Sequence, residues 1–343
     1  MYSAVLFSYI CYLSGIGMFS YKNKIHSKLI RQLGILGMLS LVAVVAYLFY
    51  RLPNRWEYAL YHRSLSLVAI VVTGAAIALA TMIFQTIVNN RILTPSILGL
   101  DSLYLLIQTL IIFLFGSKTL LGINQTLLFF LSTGAMVMFA LGLYHFLFKR
   151  ERQNIFFLLL VGIIFGTFFQ SLTTFMEVLI DPNEFQIAQD IGFASFNRIN
   201  LDILWIALGI LLVVIFYTCR YLRYFDVLAL GRDQAINLGV DYQAVTRRLL
   251  IIVAILTSVS TALVGPLTFL GLLVMNVTFE FIRGYQHKIL IPAAMLISVM
   301  TLVMGQVLVS QVFTFNTTLS IIINFTGGVY FIYLLLRANK KWQ

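Results

Sequence analysis

The chain has 343 residues, of which 61% are hydrophobic and only 10% charged, with a formal net charge of +11. Ordinary soluble domains carry roughly 25% charged residues, so 23 Lys and Arg with 12 Asp and Glu cannot clothe a water-soluble globule of this length. With a mean hydropathy of +0.97, the composition excludes a soluble enzyme, a disordered chain and a fibrous repeat, and points to lipid as the solvent.

From the N-terminus onward, apolar runs of membrane-spanning character cover residues 2–20, 33–50, 64–88, 97–115, 125–148, 155–179, 201–221, 249–269, 270–282 (short), 289–309 and 319–336. That is ten spans and one further N-terminal segment. The runs are too long for strands and lack a two-residue alternation, whereas helices satisfy their own backbone hydrogen bonds in lipid. The expected fold class is therefore all-α, a polytopic membrane protein. Residues 2–20 lack a basic leader region and a small-residue cleavage site. They are either an uncleaved extra helix with an outside N-terminus or a stretch that precedes a true start at Met18. The domain reading is an N-terminal apolar segment and basic linker over 1–32, a transmembrane domain over 33–337 and a tail over 338–343.

Placing the positive residues on alternate sides of these spans gives eighteen on one side and five on the other. The rich side holds Lys22 to Arg31, Arg91, Lys149 to Arg152, Arg220 to Arg248, Arg283, Lys288 and Arg337 to Lys341; the poor side holds Arg51, Arg55, Arg63, Lys118 and Arg198. Cytoplasmic loops collect Lys and Arg, so the rich side and the C-terminus are expected in the cytoplasm. The net charge thus reports orientation, and no nucleic-acid partner is expected. Cys11 and Cys219 both sit in apolar segments, with no disulfide or metal spacing.

Two loops are too polar for simple connectors. Residues 181–200 on the outer side, DPNEFQIAQDIGFASFNRIN, carry Asp181, Glu184 and Asp190 against Arg198 alone, with Phe185, Phe193 and Phe196 able to form a short re-entrant or surface helix at the outer face. A lid over a pore and a solvated connector both fit, and composition favours the connector. Residues 221–248 on the inner side contain two short helical patterns broken at Gly231 and Gly239, with Val227, Leu228, Leu230, Ala235, Ile236 and Leu238 interleaved with Arg232, Asp233 and Asp241. Such pieces are too short to span; they suit either a docking surface for another protein or an interfacial helix lying on the bilayer.

Charged residues inside the spans are almost absent. Asp101, Glu177 and Glu280 fall near helix ends, whereas an ion-coupled transporter places carboxylates near the membrane midplane. His26, His62, His145 and His287 are scattered, without helical HExxH or another metal-ligand pattern. No GxxxxGK[ST] phosphate loop occurs. The sequence therefore offers no catalytic, cofactor-binding or metal-binding residues, and ATP, if used, is hydrolysed on another chain. Within the spans, Gly162 and Gly166 form a GxxxG that permits close helix approach. Gln170, Ser171, Thr173 and Thr174, with Thr317, Thr318, Ser320, Asn324 and Thr326, either line a hydrated route or make interhelical hydrogen bonds.

Several separated stretches share a pattern: GAAIALATMIFQTIVNN at 74–90, LTPSILGL at 93–100, ALGRDQAINLGVDYQAVTRRLL at 229–250, LVGPLTFLGLLV at 263–274 and HKILIP at 287–292. In this order they resemble the permease subunits of binding-protein-dependent ABC importers for iron–siderophore complexes and vitamin B12. The resemblance implies a ten-helix core working as a pair of permeases, a homodimer or a heterodimer, with the substrate route between them. It implies a ferric siderophore, of the catecholate type, as cargo; vitamin B12 or haem is the alternative within the family, and an ion-coupled secondary transporter the alternative outside it. The loop over 226–242 maps onto the family's coupling helices, which dock into an ATPase subunit; Asp226, Leu230, Gly231, Arg232, Asp233, Ala235, Leu238, Gly239 and Val240 are the expected contacts. An external binding protein would dock through its acidic residues onto Arg63, which matches the last Arg of the family's RLPR-like approach to the second helix, and onto Arg55. Leu60 and His62 replace the Arg and Pro of that motif, Met275 and Asn276 replace a common Pro-His pair, and Val329 replaces a common Pro. For the route itself the expected residues are Gln170, Thr174, Thr318 and Asn324.

Overall fold

The structure is a computed structural model that describes residues 29–50, 56–116, 124–148, 155–197, 199–313 and 317–339. Helices α1 (Leu29–Phe49) and α2 (Trp56–Val88) precede a 3-10 turn (Pro95–Leu98) and α3 (Leu100–Phe115). Helices α4 (Gln125–Phe148), α5 (Ile155–Leu179), α6 (Pro182–Ile191) and α7 (Leu201–Cys219) lead into two short helices, α8 (Leu222–Leu228) and α9 (Arg232–Asn237). Helices α10 (Tyr242–Val264), α11 (Leu270–Phe281), α12 (His287–Gln311) and α13 (Leu319–Asn339) follow. Seven of these, α1, α2, α4, α5, α7, α10 and α12, are long and apolar enough to cross a membrane, and α3, α11 and α13 are shorter apolar helices. The ten match the ten expected core spans; the segment over 2–20 lies outside the described residues.

Helix α2 is the centre of the bundle. Its most apolar stretch is 78% buried, against 17% in α1 and 28% in α4 and α5, so α2 packs among helices and the others ring it. Small residues explain this placement: Gly74, Ala75, Ala76, Ala78 and Ala80 let neighbouring backbones come close. A Cβ on Gly74 would meet Leu302 and Ser298 of α12 at 3.1 Å. Helices α10 and α12 pack along α2, while α5 packs on α3 and α13 on α11 and α12.

Helix ends differ from the hydropathy reading in an instructive way. Helix α2 starts at Trp56 rather than at residue 64, and α10 starts at Tyr242 rather than at 249. In both, the first two turns are polar, so a search for apolar runs discards them. Asp241 marks the true start of α10, its carboxylate accepting from Ala244 N–H at 3.1 Å. Arg247 and Arg248 consequently ride on a helix rather than in a loop.

The segment over 181–200 is more structured than its composition suggests. Asp181 caps α6 by accepting from Asn183 N–H at 3.0 Å. Beyond α6 the chain turns into the bundle, where Ala194 and Phe196 are fully buried. Ser195 N–H donates to Val264 O at 2.9 Å, Ala194 N–H to Ser320 Oγ at 3.1 Å, and Ser66 Oγ to Phe196 O at 2.8 Å. The end of α10, the start of α13 and the third turn of α2 thus clamp one stretch of backbone. It is a plug at this end of the bundle, and a solvated connector does not describe it.

Candidate functional site

The segment between α7 and α10 folds into two short helices because glycine allows two sharp turns. Gly231, at φ +97°, separates α8 from α9, and Gly239, at φ +81°, ends α9; both sit in the left-handed half of conformational space that other residues avoid. The turns close through Gly231 N–H to Leu228 O at 3.0 Å and Val240 N–H to Ala235 O at 3.1 Å. This geometry sorts the side chains onto two faces. Phe225, Leu228 and Ala235 are buried against the membrane helices, and Val240 packs partly into the same core. Leu230, Ile236 and Leu238 are 59%, 48% and 62% exposed on the opposite face, rimmed by exposed Arg232, Asp233, Gln234 and Asn237.

The expected coupling residues therefore divide. Leu230, Arg232, Asp233, Leu238 and Gly239 face outward, whereas Ala235 faces the core and Asp226 turns inward to another residue. Ile236 completes the exposed apolar group, which its place in the amphipathic pattern already signals. The Asp226 Oδ1 atom accepts from the backbone N–H of His287 at 3.0 Å and lies 2.7 Å from His287 Nδ1. Across the same ring, Nε2 is 3.0 Å from Thr86 Oγ1, and the Thr86 hydroxyl donates to Met82 O at 2.8 Å. Nearby, Arg91 stacks its guanidinium 4.4 Å from the Phe279 ring centroid, and Gln85 holds the Arg91 carbonyl at 2.8 Å. Neither His287 nor Thr86 is visible as a site residue in the sequence, because their partners lie 61 and 201 positions away.

At the other end of the bundle, Arg63 is built into the fold. Its Nη1 donates to the carbonyls of Tyr47 and Leu48, each at 3.1 Å, and Tyr50 at 2.8 Å. These carbonyls belong to the last turn of α1, where the helix dipole presents its negative end. Arg55 lies outside the described residues. A cavity of about 460 Å³ opens beside the plug, lined by Asp190, Ser195, Asn197, Gln306 and Thr318 among others. Gln306 donates to Asn197 Oδ1 at 2.9 Å, and the Thr318 and Ser320 hydroxyls lie 3.2 Å apart. Asn324, one turn further along α13, keeps a buried Oδ1 without a hydrogen-bond partner.

Gln170 and Thr174 lie elsewhere. With Thr167 and Ser171 they form an exposed polar stripe along α5, at helical spacing. Thr167 and Ser171 satisfy their hydroxyls on carbonyls of their own helix. Within one protomer, the structure puts the α5 pair and the α13 pair of expected route residues on separate helix packings.

A model of the FecCD transport family matches residues 29–337. The chain is 58% identical over 311 residues to the petrobactin import system permease protein YclO of Bacillus subtilis (strain 168), covering 91% of this chain and 98% of that protein. It is 37% identical over 277 residues to the petrobactin import system permease protein FatC of Bacillus anthracis, covering 81% and 78%. Among solved structures, one described as an inward-facing conformation of a metal-chelate type ABC transporter superposes with a TM-score of 0.77 at 20% identity, over 90% of this chain and 99% of that one.

Proposed function

The chain belongs to the FecCD transport family, and from that membership we propose that its cargo is a ferric siderophore of the catecholate type, carried into the cytoplasm. The protein is a multi-pass membrane permease of an ABC importer. The observation that carries the choice of cargo is the 58% identity to a petrobactin import permease along 98% of that protein's length. A second permease of the same fold faces this one, and the exposed polar stripe of α5, with Gln170 and Thr174, supports a route between the two, since such a stripe is costly against lipid. Thr318 and Asn324 line the route near its outer mouth. Iron stays in the siderophore, so this chain supplies shape and hydrogen bonds and no covalent chemistry.

Energy comes from a separate ATPase dimer on the cytoplasmic side of the bacterial membrane; the excess of Lys and Arg on one side of the spans supports a cytoplasmic position for residues 226–242 and the C-terminus. The exposed apolar group of Leu230, Ile236 and Leu238, ringed by Arg232 and Asp233, supports a docking surface for that ATPase. Reconstituting the permease pair with its ATPase and binding protein in proteoliposomes tests the whole reading. Uptake of labelled ferric petrobactin is expected only with ATP and ATPase. Uptake driven by a proton gradient, or persisting without the ATPase, would overturn it.

Docking of the external binding protein is proposed to use Arg63 and Arg55. Because Arg63 also caps α1, charge and structure need separate variants. Arg63→Lys keeps the charge and is expected to bind the binding protein nearly as the native permease does. Arg63→Glu is expected to weaken binding about tenfold at low ionic strength and by much less at high salt, since exposed charge pairs are screened over about 8–10 Å. Calorimetric titration of the two variants across a salt series reads this directly. A salt-independent loss would assign Arg63 to the α1 end alone.

A further inference from the structure

The coupling surface must move something, and one side chain joins it to the helices behind it. His287 is the first residue of α12, and Gln286 before it supplies no side-chain cap. That missing cap comes from a different element: Asp226 on α8 accepts both the His287 N–H and its ring Nδ1. Phe225, beside Asp226, stacks on the same imidazole with ring centroids 5.6 Å apart. The far ring nitrogen meets Thr86 in the last turn of α2. His287 is 5% exposed, while Asp226 keeps about a third of its side chain open to solvent.

The carboxylate of Asp226 accepts only, so His287 Nδ1 donates to it at 2.7 Å. Thr86 Oγ1 lies 3.0 Å from Nε2 and also reaches Met82 O, so the imidazole joins α8 to α2 through both of its ring nitrogens. Pro292 follows five residues later inside α12 and has no N–H to return to the Lys288 carbonyl. The first turn of α12 is accordingly tied to the rest of its helix by one hydrogen bond fewer, and to α8 by two hydrogen bonds and a ring contact.

We propose that Asp226, His287 and Thr86 form an internal strut that transmits movement of the α8–α9 segment to α12 and α2, acting as positioning residues for transport rather than as contacts to the ATPase. This rests on the docking reading given above. It separates that reading's residues into an outer set that binds and an inner set that transmits.

The test uses the full importer in proteoliposomes with three variants. Asp226→Ala removes the acceptor at the near end, His287→Phe keeps the ring contact with Phe225 while removing both ring hydrogen bonds, and Thr86→Val removes only the far end without changing size. The ATPase is expected to remain bound and basal hydrolysis to stay within twofold of native. Ferric petrobactin imported per ATP hydrolysed is expected to fall at least tenfold, with the Asp226→Ala/Thr86→Val double variant no worse than its worse parent, the signature of one shared path. A readout that needs no cargo is thiol labelling of Met304→Cys on α12 in a Cys11→Ser/Cys219→Ser background, which is expected to respond to nucleotide in the native importer and to lose that response in the strut variants. An unchanged import-to-hydrolysis ratio with preserved nucleotide response would overturn the strut. Loss of ATPase binding in all three variants would also overturn it, showing that they only shape the docking face. Failure of the docking reading shows instead in outer-face variants that keep the ATPase.

Discussion

A Leu230→Asp/Leu238→Asp permease is expected to reach the membrane, fold as the native chain does and lose its ATPase. Both side chains are more than half exposed, and replacing exposed residues changes stability by about 0.5 kcal/mol or less. Docking, by contrast, would bury them. Each fully buried Leu is worth roughly 1.5–3 kcal/mol, so removing two forfeits about 3–6 kcal/mol of binding before any cost of burying carboxylates. At about 1.4 kcal/mol per decade, affinity for the ATPase should fall at least a hundredfold. Co-purification with the ATPase and its hydrolysis rate read the loss; thermal unfolding of the isolated permease reads the fold. Ala235→Asp is the contrasting control, because Ala235 is fully buried on the inner face and a carboxylate there would damage the segment itself. If the double variant retains its ATPase, these two leucines do not form the docking surface.

The division between outer and inner faces shows what could be read in advance. Ten apolar runs stand out because lipid demands long uninterrupted helices, and all ten correspond to apolar helices. Gly231 and Gly239 could be placed as breaks because a positive φ has a residue signature. Helix beginnings were less legible: the polar first turns of α2 and α10 look like loop until a cap such as Asp241 is seen. Long-range polar pairing left no trace in local pattern. Asp226 reads as one more surface carboxylate in a polar loop, and only the fold brings His287 to it. Arg63 reads as an outer-face cation, while its three carbonyl acceptors become visible only when α1 and α2 lie side by side. Phe196, between polar neighbours, reads equally as part of a surface or a re-entrant helix, and only the fold shows that the chain carries it into the bundle. Periodicity reports which face of an element is apolar; it does not report which distant element will meet a polar one.

Glycines at the α3–α5 crossing carry the largest expected effect on the fold. A Cβ on Gly99 would lie 2.9 Å from both Cα and N of Gly166 and 3.1 Å from Gly162 O. One on Gly162 would lie 2.9 Å from Leu98 Cα and 3.0 Å from Ile97 O. Backbone meets backbone here, with no flexible side chain able to move aside. Gly99 also holds φ at +78°, which costs other residues about 1–2 kcal/mol. Gly99→Val adds overpacking of about 1–3 kcal/mol, for a total of about 2–5 kcal/mol, and is expected to give little monodisperse protein and a strongly lowered unfolding temperature in detergent. Gly162→Ala should follow, then Gly166→Ala, whose Cβ would press on Gly99 Cα at 3.2 Å. Gly142→Ala, with nothing within 4 Å, should be neutral or stabilising because alanine favours helix. An unfolding temperature for Gly99→Val equal to native would remove the crossing from the account of stability. The milder Gly166→Ala then carries the argument to function. Gly166 stands one turn before Gln170 on α5, so a few tenths of an ångström added at the crossing displaces the polar stripe that is proposed to line the route. That variant should fold, bind its ATPase and hydrolyse ATP normally, yet import ferric petrobactin several-fold more slowly.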